Sequence, residues 1–203
     1  MTPAALGFRA GRGGSVVVAV AIAAGEPRVV RSTFLATAAE GDRLAFEPYT
    51  VAAELAGDPA AAAAAVAQGR ERQDRLAAQG LDDLVARLRE AGHAPAVAAL
   101  LVNRAGWITD LLAYSLGAPE HPAVAEGLAV RDALCAAFAG HGLDVAEVDE
   151  KSLPDAASAA LRRSTTEIDA ALQALGATAG KPWRREQKQA ALAAWVTLAG
   201  RPA

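Results

Sequence analysis

The sequence predicts a mixed α/β fold: a five-stranded sheet whose first three strands are antiparallel, with helices on both faces. Three observations carry this expectation. The chain opens with β-branched and apolar runs separated by glycine-containing turns, "ALGFRAGRGGSVVVAVAIAAGEPRVVRSTFLA" over residues 5–36. Helical patterns then dominate. Two short apolar runs, "AVAALLV" (96–102) and "LDVAEVDE" (143–150), interrupt them, and strands alternating with helices are the mark of parallel crossovers.

Each element has its own signal. Ala4–Phe8 is apolar throughout, as a central strand buried on both faces would be. Ser15–Ala24 and Arg28–Ala36, joined around Gly25, read as a hairpin. Gly41, Asp42 and Pro48 make a loop of "TAAEGDRLAFEPYT" (37–50), and Val51–Leu55 begins the helices. Asp58 is an N-cap followed by Pro59 at the first helical position, and that helix is expected to run to about Gln79 and stop at Gly80. Leu81–Ala91 follows as a separate amphipathic helix with Leu81, Leu84, Val85 and Leu88 on one stripe, ended by Gly92. Helices are expected over 108–116, 122–139, 152–175 and 184–199, with "GATAGKPW" (176–183) as a loop.

The 203 residues suit one domain, residues 1–203, long enough to bury roughly 70% of the unfolded surface. The apolar fraction is carried by alanine, with four Phe, three Trp and two Tyr, which favours helices. A net charge of −3 supplies no global field for nucleic acid or anionic lipid, so an anion site has to be local. The single cysteine, Cys135, excludes an internal disulfide and a cysteine-based zinc site, and it reads as an inert thiol on an apolar helix. The apolar stretch after Arg9 and Arg12 is broken by Gly25, Glu26 and Pro27, too soon for a membrane span, and it lacks the order of a signal peptide. No membrane partner and no cofactor are expected. A cytoplasmic location is the default.

Several residue groups invite a chemical reading. Arg9 and Arg12 flank Gly11, with Gly13 and Gly14 beyond, so backbone N–H groups and two guanidiniums could hold a phosphate or carboxylate; the plainer reading is a tight turn with solvated arginines. His121 and Glu126 could form an acid/base pair, against a structural helix with His121 at its exposed start and Glu126 on the surface. Arg131 lies five residues beyond Glu126, too far round the helix for a direct pair, and Gly127 is expected to permit close packing. Glu147, Asp149 and Glu150 end the last strand, where α/β folds bind ligands, and with Glu126 and Asp155 they are the carboxylates from which a metal site could be rebuilt. Asp82 and Asp83 read as solvated charges near a helix start. Trp183 with Lys181, Arg184, Arg185 and Lys188 could stack a base and touch phosphates, helped by Arg162 and Arg163; as structure alone, Trp183 is a hydrophobic staple.

The element order, opened by "LGFRAGRGGSVVVAVAI" (6–22), resembles the ribonuclease H-like superfamily, and within it the RuvC-type resolvases. That resemblance implies a nuclease fold whose carboxylates hold two divalent cations about 4 Å apart. Its first strand runs Gly, apolar, Asp, small, Gly. Here Gly7, Phe8, Arg9, Ala10 and Gly11 occupy the run, with Arg9 at the position of the first metal-binding aspartate. At the end of the fourth strand, "LLVNRAG" has Asn103 and Arg104 in place of an acid, and the closing helix "EQKQAALAAWVTLAG" offers Lys188 and Gln189. Arginine keeps its proton, so Arg9 repels the cations this chemistry needs. The runs "PYTVAAE", "AEGLAVRDAL" and "KPWRREQKQAALAAW" are also similar to a bacterial family with no assigned activity, which implies a shared fold.

Two functions follow as expectations. The first is a non-catalytic binding domain whose ancestral metal site is lost, with a protein or nucleic acid as partner and a homodimer through alanine-faced helices. The second is a metal-dependent nuclease or other phosphoester hydrolase using relocated carboxylates. An actin-like ATPase shares the opening topology, but it needs two such domains, and this length supplies one.

Overall fold

A computed structural model describes residues 1–103, 107–118 and 120–201. Three opening strands, β1 (Thr2–Gly11), β2 (Gly14–Ala23) and β3 (Glu26–Ala36), form an antiparallel meander. Short helices α1 (Arg43–Phe46) and α2 (Pro48–Glu54) lead into the long α3 (Pro59–Glu90). Strand β4 (His93–Val102) then pairs parallel to β1, helices α4 (Leu111–Gly117) and α5 (Pro122–Gly140) follow, and β5 (Val145–Asp149) pairs parallel to β4. The chain closes with α6 (Leu153–Leu161), α7 (Thr165–Ala179) and α8 (Arg185–Ala199). The sheet order β3-β2-β1-β4-β5 puts β1 at the centre, as its unbroken apolar run requires.

Alternation along β1 divides the core in two. Leu6 and Phe8 join Leu81, Leu84, Leu88, Leu134 and Phe138 from α3 and α5, and the Phe8 and Phe138 rings meet edge to face at 4.7 Å. Ala5, on the opposite face, packs with Leu153, Leu172, Ala190, Ala194 and Trp195 from α6, α7 and α8. Gly7 follows Ala5 on that face, and a Cβ there would lie 1.8 Å from the Ala190 carbonyl oxygen. Helix α8 therefore crosses the central strand at backbone contact distance.

Gly80 does not end a helix. The buried series Gln73, Ala77, Leu81, Leu84, Val85 and Leu88 stays in phase across it, and packing overrides a propensity cost of about 1 kcal/mol. A Cβ on Gly80 would lie 2.8 Å from Leu35 Cγ, so this glycine lets α3 approach β3. The expected helix over 152–175 is two helices, because Arg162 turns into the left-handed region at φ 52°. Ser164 and Glu167 restart it as a capping box. Helix α7 then continues past Gly176, where Trp183 lies against the space a Cβ would fill. Two short helices occupy the segment read as loop, with the Asp42 carboxylate accepting from Ala45 N. The helix expected from 108 starts at Leu111, capped by Asp110. Among the described residues no helix is long and apolar enough to cross a membrane. Arg104 lies outside the described residues.

Candidate functional site

The C-terminal ends of β1, β4 and β5 lie side by side, the place where parallel α/β sheets present chemistry. Arg9 extends the Ala5–Gly7 face of β1, toward α8. Its guanidinium donates to Glu150 Oε1 from Nη2 at 3.1 Å and from Nε at 3.4 Å. Glu150 is held there by its own N–H, which donates to the Val102 carbonyl at 2.9 Å and so continues the β4–β5 ladder. Arg185, in the first turn of α8, brings Nη2 to 4.0 Å from the same Oε1. Asn103 follows directly at the end of β4. The result is one carboxylate between two guanidiniums. With the Arg9 and Glu150 side chains 30% and 22% exposed, water screens the pair, and it contributes less than about 1 kcal/mol.

Arg12 does not join Arg9. Gly13, at φ 74°, closes the β1–β2 turn and lies against the Phe46 ring, so Arg12 faces α1 and α2. It pairs with Glu47 at 3.5 Å and sits 5.9 Å over Phe46. Gly11 takes the last pairing position of β1, opposite Gly14, and its backbone is not left-handed. Each arginine of the expected anion clamp already has a carboxylate, on different sides of the turn.

Glu126 is not a surface residue. It is fully buried on α5, and its Oε1 accepts from Tyr49 N at 3.0 Å, Thr50 N at 2.9 Å and Thr50 Oγ1 at 3.2 Å. These are first-turn donors of α2, so Glu126 caps that helix from a distant element. Its Oε2 is buried without a partner. Burial pushes the carboxyl up to about 7, against the lowering effect of the Thr50 and Tyr49 hydrogen bonds. His121 stands exposed as the N-cap of α5, and no hydrogen bond joins it to Glu126. Nearby, the Arg70 Nη1 donates to Tyr49 Oη at 3.2 Å and Nη2 pairs with Asp132 at 3.2 Å. Gly127 has open space where a Cβ would point, so it makes no close packing.

The remaining candidate carboxylates lie apart from one another, most of them with structural partners. Asp149 Oδ1 accepts from Lys151 N and Ser152 N and so leads the chain into α6. Glu147 pairs with Arg131 at 3.4 Å, Asp82 with His141 at 3.0 Å, and Asp155 lies in the first turn of α6. Burial raises the Cys135 thiol, with the Arg131 charge opposing it. Among the described residues no group of three or more His, Cys, Asp or Glu side chains is placed to hold a metal ion.

On α8, Lys188 leaves the strand ends and lines a cleft of about 340 Å³ between α6, α7 and α8, with Arg185, Asp169, Ile168, Leu172 and Leu192. Trp183 turns toward α7. Its Nε1 donates to the Leu172 carbonyl at 2.9 Å, and its ring covers Gly176, which removes that face from base stacking. Arg163 pairs with Glu26 at 2.7 Å and lies over Trp195.

Two solved structures align over nearly all of this chain. Thermus thermophilus RuvC matches with a TM-score of 0.55 and 12% identity, covering 97% of this chain and 93% of RuvC. T. thermophilus RuvC in complex with Holliday junction substrate matches with a TM-score of 0.52 and 15% identity, covering 96% and 91%. The fold is ribonuclease H-like. No protein-family model and no curated protein sequence matches the chain. At these strand ends two guanidiniums lie beside the Glu150 carboxylate, an arrangement that does not fit a pair of divalent cations.

Sequence reasoning singled out Arg9 and Glu150 for separate roles and did not join them. It missed Glu47, Tyr49, Thr50 and Arg70 altogether. The Arg9–Glu150 and Glu126–Thr50 contacts span 141 and 76 residues, and no local pattern announces them.

Proposed function

We propose that this chain is a non-catalytic ribonuclease H-like binding domain in which an ion-pair network has replaced the metal centre. The observation that supports it is the Arg9 guanidinium on Glu150 at 3.1 Å, at the end of the central strand. Hydrolysis on this fold depends on cations to stabilise developing charge and to activate water. Arg9 and Arg185 supply fixed positive charge there instead, and the carboxylate beside them, Glu150, is engaged by both guanidiniums. The reading keeps a cytoplasmic location, a protein or nucleic acid as partner, and self-association as its proposed assembly. The nucleic-acid option draws support from the RuvC structure that carries a Holliday junction.

The test is cleavage of a mixed panel of junction, duplex and single-stranded DNA and RNA, titrated with Mg²⁺ and Mn²⁺. The expected result is no metal-dependent cleavage at any concentration. Cleavage that disappears in Glu150→Ala or Glu126→Gln would overturn the proposal and establish a hydrolase with relocated carboxylates.

A further inference from the structure

The two edges of the sheet are unequal. β5 is a five-residue strand, whereas β3 runs for 11 residues. Open edges invite pairing with another chain, and proteins blunt them with short strands, charges, proline and bulges. The first half of β3 has all but the first of these devices: Pro27, Arg28, Arg31 and a register shift opposite Ala19 and Val20. Its second half, Ser32–Ala36, has none.

The register shows which backbone groups face outward. Thr37 N–H donates to the Gly13 carbonyl at 2.9 Å, so Thr37 and Gly13 form a bonded pair. Antiparallel partners alternate, which makes Leu35 with Ser15 and Thr33 with Val17 bonded pairs too. Ser32, Phe34 and Ala36, opposite Val18, Val16 and Gly14, therefore aim their N–H and C=O groups away from β2.

Two apolar side chains of this half-edge, Phe34 and Ala36, are exposed, while Ser32 and Thr33 are half-buried and Leu35 is buried. Phe34 is 56% exposed and Phe46 is 42% exposed. Phe34 lines two adjoining clefts, one of about 440 Å³ between β3 and α3 and one of about 410 Å³ reaching Arg12 and Phe46. Arg31 and Arg87 line the first cleft together with Asp83, and among the described residues neither guanidinium lies within ion-pair distance of a carboxylate, which leaves the cleft one net positive charge. Two unpartnered guanidiniums beside an aromatic groove and a row of free backbone groups fit one kind of ligand.

We propose that Ser32–Ala36 of β3 captures an extended segment of a partner protein as an added strand, a segment with acidic residues for Arg31 and Arg87 and an apolar residue for Phe34 and Phe46. Main-chain hydrogen bonds hold such a strand, and alternate side chains entering the clefts select it. This rests on the reading of the chain as a binding domain and names its partner class. It lies at the opposite edge of the sheet from Glu150, so the two fail separately: the cleavage panel scores the strand ends of β1 and β5, and a peptide titration scores the β3 edge.

The titration uses a short fluorescein-labelled peptide of alternating glutamate and valine around one phenylalanine, read by anisotropy, with a lysine-for-glutamate counterpart. The expected result is saturable binding of the acidic peptide, weakened about tenfold or more in Arg31→Glu/Arg87→Glu and in Ser32→Pro, and unchanged in Glu150→Ala. Ser32→Pro removes one outward N–H while leaving the β2 ladder intact. If its melting curve shows that it has not folded, Phe34→Lys takes its place. Absence of binding, equal binding of both peptides, or binding indifferent to these variants would overturn the proposal. So would a dimer in sedimentation that Phe34→Lys dissolves, since the edge would then belong to a second copy.

Discussion

Replacing Glu126 with Gln isolates the cost of a buried charge. The glutamine keeps an oxygen for Tyr49 N, Thr50 N and Thr50 Oγ1, and it changes only the atom at the Oε2 position, which has no partner. In the folded protein the carboxyl titrates at about 7, raised by burial from an ordinary 4.5. The folded state therefore holds a proton that the unfolded state has released between these values. Its contribution is fully present below pH 4.5 and is lost as pH rises toward 7. At about 1.4 kcal/mol per pH unit, the loss is about 3 kcal/mol. Glu26, Glu54 and Glu167, lowered chiefly by hydrogen bonds from Arg163, Arg43 and Ser164, weaken the fold in the other direction as pH falls. They are common to both proteins and cancel in the comparison. The assay is urea unfolding of both at intervals from pH 4.5 to 8. The variant should match the parent at the acid end and exceed it by about 3 kcal/mol at pH 8. Parallel profiles would refute the reasoning.

Other outcomes follow from contacts already described. Gly7→Ala drives a methyl into the Ala190 backbone, and overpacking of this kind should cost about 3 kcal/mol, or about 6–12 °C in melting temperature. Gly11→Ala, with open space at its Cβ, is the control and should stay within about 0.5 kcal/mol. Asp58→Ala removes the side chain that accepts from Ala60 N and Ala61 N at the start of α3, and should lower stability by about 1 kcal/mol in the same melts.

The sheet was legible because its signals are local and periodic. Five strand-forming runs in the right order, with an all-apolar first strand, specify a mixed sheet with that strand near the centre. The helical half was less legible wherever packing outweighs propensity. Gly80 looks like a terminator in sequence, yet it is a notch for Leu35 inside a continuous helix. Ser164 and Glu167 did carry a readable restart signal, hidden by the apolar residues on either side. The strand-end cluster was half legible: chain order placed Arg9, Asn103 and Glu150 at strand ends, while the pairing of Arg9 with Glu150 depends on three-dimensional neighbours. Glu126 was the hardest to read, because a glutamate in an apolar helix looks exposed until the helix it caps is packed against it.

The Arg9–Glu150 contact fastens the central strand to the far edge strand over the end of β4. Adjacent strands are about 4.8 Å apart, so this clasp bridges about 9–10 Å and needs a long side chain from β1. An aspartate at position 9 would fall short of Glu150, with Asn103 and Arg185 still in place around the gap. The ends of three neighbouring strands are thereby tied into one unit, so that shortening the side chain at position 9 would release β1 from β5 and leave Glu150 to Arg185 alone.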